Sequence, residues 1–121
     1  MGIGRQGFTK HVMTGTLDGS FSGAININRT TFIEAIYLHF STCISTTSFL
    51  KLTVDSSEGE VYDTVILKED MNNLTDYAEA LADPYPLLAG DRLLLEYGNS
   101  TDSPVYGLTI VMREAKSHIG L

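Results

Sequence analysis

At 121 residues, 43% apolar and 19% charged, the chain has the size and composition of one globular domain and is too apolar to remain disordered. A net charge of −7 disfavours a nucleic-acid phosphate backbone as partner, and no apolar run approaches the ~18 residues of a membrane-spanning helix. Cys43 is the only cysteine, which excludes an internal disulfide and a thiolate metal cluster.

Residues 2–7, GIGRQG, match the G-x-G-x-x-G spacing that cradles a dinucleotide pyrophosphate. That fingerprint needs a buried strand before it, a helix after it and an acid about 20 positions on. No strand precedes it here, FTKHVMTGTL (8–17) lacks a helical apolar period, and Asp18 comes too early. The motif is therefore no nucleotide site. We read residues 1–15 as an extended N-terminal arm and 16–121 as the folded domain. The first residues lack the charged-then-apolar pattern of a secretory leader, so synthesis in the cytosol is expected.

Charge is uneven along the chain. Residues 1–30 carry Arg5, Lys10 and Arg29 against Asp18, whereas residues 55–102 carry acid after acid against Lys68 and Arg92. A basic arm beside an acidic body points to protein–protein docking. Arg5 and Lys10 are the expected charged contacts of that arm, with Phe8, Val12 and Met13 as apolar anchors.

Short β-type segments separated by turn residues dominate the rest. TTFIEAIYLHFS (30–41) is apolar on both alternating sets: Phe32, Ile36, Leu38 and Phe40 on one, Ile33, Ala35, Tyr37 and His39 on the other. Glu34 interrupts the first set. Such a strand is central or faces an interface, so Ile33 and Tyr37 are expected to be covered by another segment or another subunit. SFLKLTVDS (48–56) alternates cleanly, SSEGE (56–60) is a turn, and VYDTVILK (61–68) is its hairpin partner. NNLTDYAEALADP (72–84) places Leu74, Tyr77, Ala78 and Leu81 at i, i+3, i+4 and i+7, which predicts a short amphipathic helix ending before Pro84. GDRLLLEYGNS (90–100) and VYGLTIVMRE (105–114) are strands, and 8–17 and 21–28 are weaker candidates. The pattern predicts an all-β fold: an antiparallel β-sandwich or jelly roll with one short helical crossover and an extended N-terminal arm.

Candidate chemistry is sparse. His11, His39 and His118 stand at no metal-ligand spacing, and His39 lies within an apolar strand. Asp55, Glu58, Glu60 and Asp63 cluster at a turn but lack the D-x-[DN]-x-[DN]-G calcium pattern, so they read as a solvated hairpin tip. Cys43 has no adjacent base, and no G-x-S-x-G context accompanies any serine. In AGDR (89–92), Gly90 suits a sharp turn and Asp91 a bond to nearby backbone. No catalytic residue, metal ligand or cofactor is expected.

PLLAGDRLLLEYGN followed by SPVYGLTIVMRE resembles the closing strands of jelly-roll modules. With the layout from 31 to 114, the chain resembles the small β-sandwich decoration, or cement, proteins of tailed-bacteriophage capsids. The resemblance implies a non-enzymatic virion structural protein without cofactors, made in the host cytoplasm. It further implies a homo-oligomer bound to the major capsid protein or another virion protein, with no nucleic-acid or membrane partner. A receptor- or glycan-binding β-sandwich of a tail or fibre is the alternative.

Overall fold

The computed structural model describes residues 8–98 and 102–115. Eight strands account for most of them: β1 (Phe8–Thr16), β2 (Phe21–Asn26), β3 (Thr31–Phe40), β4 (Phe49–Asp55), β5 (Thr64–Asp70), β6 (Asp76–Leu87), β7 (Arg92–Gly98) and β8 (Val105–Glu114). Among the described residues the only helical element is a 3-10 turn, Glu60–Tyr62, in the β4–β5 connection.

The strands form two four-stranded antiparallel sheets, ordered β1-β8-β3-β6 and β2-β7-β4-β5. Each early strand pairs with a late one: β1 with β8, β2 with β7, β3 with β6 and β4 with β5. The chain is thus one long hairpin, with its tip between β4 and β5, rolled so that β8 also meets β3 and β7 also meets β4. That order is a jelly roll.

Alternation builds the core. Leu50, Leu52 and Val54 of β4, Leu93, Leu95 and Tyr97 of β7, and Leu108, Ile110 and Met112 of β8 all point between the sheets and are buried. An aromatic stack ties the sheets together at one end. Phe21 lies flat against Tyr106 with ring centres 4.2 Å apart, and Tyr97 packs on both Phe21 and Phe40. The Tyr97 hydroxyl bonds Ser48 Oγ in the interior, and burial pushes its pKa up.

Three expectations need correction. The helix predicted over 72–84 does not form: residues 76–87 are the edge strand β6. Their working period is two, with Tyr77, Leu81, Tyr85 and Leu87 turned to the core. Glu79, an acid at an inward position of a partly wet edge, hides that period and leaves the helical one visible. A helix here would also leave the outer edge of β3 without backbone partners, a cost that pairing with β6 removes. Pro84 and Pro86 are tolerated because β6 is an edge strand.

The expected arm is the second correction. Residues 8–16 are β1, paired along its whole length with β8 from Phe8↔Arg113 to Thr16↔Val105. The proposed boundary at residue 15 therefore falls inside a strand of the sandwich, while residues 1–7, including Arg5, lie outside the described residues.

The third concerns β3. Ile33 is not an interface residue; it is fully buried in the core. The register of β3 shifts between Ile33 and Ala35 against both neighbours. This β-bulge at Glu34 sends Ile33 inward with Ile36, Leu38 and Phe40, and leaves Phe32, Ala35, Tyr37 and His39 outward.

Candidate interaction surface

A two-layer antiparallel sandwich ordinarily presents polar residues on both outer faces. One face here obeys that rule. Outside the β2-β7-β4-β5 sheet, Lys51 pairs with Glu96 at 3.7 Å and Arg92 with Asp55 at 2.5 Å. Lys68 lies over the Phe49 ring, 4.8 Å from its centre. These charged groups are partnered, and a single apolar row, Ala24, Leu94, Thr53, Val65, crosses the same face between them.

The outer face of the β1-β8-β3-β6 sheet is different. Strand pairing aligns its side chains in rows across all four strands. One row runs Val12, Thr109, Tyr37, Ala78; the next runs Lys10, Val111, Ala35, Ala80. A third joins Phe8, Arg113, Phe32 and Pro86, where the Arg113 guanidinium sits 4.5 Å from the Phe32 ring centre. Arg113 also donates to Glu34 Oε2 at 2.8 Å, so the cation in this row is neutralised. Phe8 is 60% exposed, Val12 65%, Val105 53% and Tyr37 43%. β-branched, aromatic and small residues therefore make a flat, largely apolar surface that no element among the described residues covers. Large exposed apolar surfaces of this kind mark interaction sites.

One border of the face is polar. His39 and Asp76 lie opposite each other on β3 and β6, with Nδ1 and Oδ1 2.6 Å apart. That hydrogen bond, helped by one from Thr75, holds the Asp76 carboxyl below its usual range.

Of the residues singled out in the sequence, Phe8 and Tyr37 stand exposed on this face, with Lys10 in the row between them. Ile33 lies beneath it in the core, and Arg5 is outside the described residues. Sequence reading missed Val105, Thr109 and Val111, although the outward set of 105–114 is apolar or small up to Arg113. It also missed Ala78 and Ala80, hidden inside the predicted helix.

The other sequence candidates have structural partners. Gly90 takes φ +97°, and the Asp91 carboxylate accepts backbone N–H bonds from Ser57 at 3.1 Å and Leu88 at 3.0 Å. The Ser57 bond, foremost, pulls the Asp91 pKa down. At the hairpin tip, Asp55 pairs with Arg92 and Asp63 accepts from the Ser56 N–H at 2.8 Å. Among the described residues no three His, Cys, Asp or Glu side chains are gathered as a metal site, and no helix is long and apolar enough to cross a membrane.

No protein-family profile matches the chain, and no curated protein does. Among solved structures the chain is similar to VP2 of infectious bursal disease virus, from the crystal structure of its subviral particle, at 13% identity and a TM-score of 0.28. The match covers 94% of this chain and 43% of that one. A likeness so low carries no argument, and the fold rests on the strand order.

Proposed function

We propose that the protein is a non-enzymatic virion structural protein, a capsid decoration or cement protein that docks on the major capsid protein through its apolar sheet face. The observation that carries this reading is the row Val12, Thr109, Tyr37, Ala78 and its neighbours. Four strands cooperate to build that flat surface, and the interior does not use it. A shell subunit offers an extended, repeated surface to which a flat face can attach many times over. Lys10, exposed within the face, and Arg5 in sequence supply charge to steer the contact. In this reading the protein is made in the host cytoplasm, resides in the virion, and needs no cofactor.

The test is co-sedimentation with shells assembled from the major capsid protein of the same virus. Tyr37→Asp places a charge at the centre of the face without touching the core. It should weaken binding at least tenfold while melting stays within about 0.5 kcal/mol of wild type, as for most surface changes. Undiminished binding of this variant would overturn the reading.

One feature favours the alternative of a receptor- or glycan-binding module. A depression of about 340 Å³ on the opposite sheet is lined by Phe21, Phe49 and Tyr97 together with Ser20, Ser22, Lys51 and Glu96. Tyr97 and Phe21 are stacked into the core, so the exposed Phe49 ring beside the polar groups is the platform a sugar ring would use. Retention on a glycan array, lost in Phe49→Ala and kept in Tyr37→Asp, would favour that module over the capsid reading.

A further inference from the structure

Both sheets end in edge strands, and the four edges are not alike. β6 carries Pro84 and Pro86, β5 carries Lys68, Glu69 and Asp70 in succession, and β2 is only 6 residues long. These are the usual devices that stop an edge from pairing with another chain. β1 has none of them along most of its length. It runs 9 residues, FTKHVMTGT, with no proline and a single lysine, and among the described residues nothing pairs with its outer side.

We propose that β1 pairs with β1 of a second copy, antiparallel about a two-fold axis at Val12. Three observations select this occupant. Val12 is the midpoint of the strand, so centring the axis there uses all 9 residues of each copy. In that register Val12 faces Val12 of the second copy, Lys10 faces Thr14 and Phe8 faces Thr16. No like charges meet, whereas a two-fold centred on Lys10 would oppose two lysines directly.

The third observation is the placement of charge. β1 and β2 lie on one flank of the sandwich, where the Met13 side chain reaches Gly23, and β5 and β6 lie on the other, where Ile66 and Leu81 meet. Glu69, Asp70, Asp76, Glu79 and Asp83 are therefore on the flank away from β1. Four strands at ~4.8 Å spacing separate the flanks by about 14 Å, beyond a Debye length of ~8 Å in physiological salt. Asp18, in the β1–β2 connection, stays on the near flank, but these five acids of each chain are screened from those of the other.

The axis is perpendicular to the sheet, so both apolar faces end on the same side. The product is one continuous eight-stranded sheet with a doubled docking surface. This association goes beyond the virion reading and survives its failure, because it is read in solution without shells.

Sedimentation of the full chain should give the mass of a dimer. Val12→Glu and Val12→Lys, each at a solvent-exposed position, should each fold cooperatively, weaken association at least tenfold and lose the concentration dependence of melting that a dimer confers. Mixing the two should restore a heterodimer, since opposite charges then face each other. In a Cys43→Ser background, Val12→Cys should form an intermolecular disulfide on mild oxidation, because facing residues of such a pair have Cα atoms ~4.5–5.5 Å apart. Thr16→Cys, opposed by Phe8, should not. A monomer at all concentrations, a closed ring larger than a dimer, an unaffected Val12→Glu or a cross-linking Thr16→Cys would each overturn the proposal.

Discussion

Deleting Glu34 should leave the protein folded, whereas deleting Leu38 from the same strand should not. Removing one residue from the middle of a strand normally turns every side chain beyond the cut to the opposite face. At Glu34 the strand already carries one residue too many, since Ile33↔Met112 is followed by Ala35↔Val111. Its loss therefore restores regular pairing with β8 and keeps Ile33 and Ile36 inward, while against β6 the extra residues 81–84, between Ala80 and Tyr85, remain as they were. The cost is the Glu34–Arg113 contact at 2.8 Å, between side chains that retain 22% and 19% exposure. Arg113 keeps its stacking on Phe32 and some water, so we assign about 1–3 kcal/mol. For a chain of 121 residues, 1 kcal/mol corresponds to about 4 °C in the melting midpoint. The deletion should then lower melting by about 4–12 °C and keep the cooperative transition. Deleting Leu38 displaces one side of β3, putting Ile33 and Ile36, or Phe40, out of the core. At ~2–5 kcal/mol for each large side chain lost, that consumes most of a typical 5–15 kcal/mol of stability. Thermal melting by near-ultraviolet circular dichroism decides. A Glu34 deletion that fails to fold, or a Leu38 deletion that melts like it, would refute the bulge assignment.

Other consequences are equally direct. The Asp91 carboxyl is held below the ordinary carboxylate range, so its stabilisation is complete above about pH 4 and lost as pH falls through the depressed value. Asp91→Asn should cost about 1–2 kcal/mol at pH 7, and its melting gap to wild type should narrow in acid; a constant gap from pH 7 to 2 would contradict the assignment. Ser48→Ala strands the buried Tyr97 hydroxyl and should cost about 1–3 kcal/mol, much of it recovered when Tyr97→Phe is added. Calcium titrated against the melting curve should have no effect beyond ionic strength, because the acids of the 55–63 hairpin are engaged with Arg92 and backbone or dispersed around the turn.

Strands with a clean period of two were legible in the sequence, most of all 48–56 and 105–114, because each has one dry and one wet face. What defeated the reading was local departure from that geometry. Glu34 interrupts the apolar set, yet an interruption reads the same whether it marks an exposed position or an inserted residue. Only the partner strands reveal the shift between Ile33 and Ala35. Along 76–87, Glu79 faces inward at a half-wet edge and hydrogen-bonds the Tyr77 hydroxyl, whose pKa is raised by burial and by that carboxylate. An alternation with an acid on its apolar side resembles a helix more than a strand. The sequence reads as an arm over 1–15 and only weakly as a strand over 8–17 because the inward set of β1, Thr9, His11, Met13 and Gly15, is weakly apolar, as suits a flank strand that covers only the rim of the core.

The apolar face had a different reason for staying hidden. Each strand displays its outward set in sequence: Tyr37 with His39 on β3, Val105 with Thr109 and Val111 on β8, and Lys51 with Asp55 on β4. Which outward sets share a face depends on which strands are neighbours, and here the neighbours are far apart in sequence. Had the strands paired as a simple meander, β3 would lie beside β4, and Tyr37 would border the charged set of Lys51 and Asp55. The jelly roll instead inserts β8 between β1 and β3 and sends β4 and β5 to the other sheet. Three apolar-rich rows are thereby gathered on one side, with the Glu34–Arg113 and His39–Asp76 pairs among or beside them, and the Lys51–Glu96 and Arg92–Asp55 pairs lie on the other. The apolar face is a product of topology, assembled from strands whose outward residues would pass unnoticed one at a time.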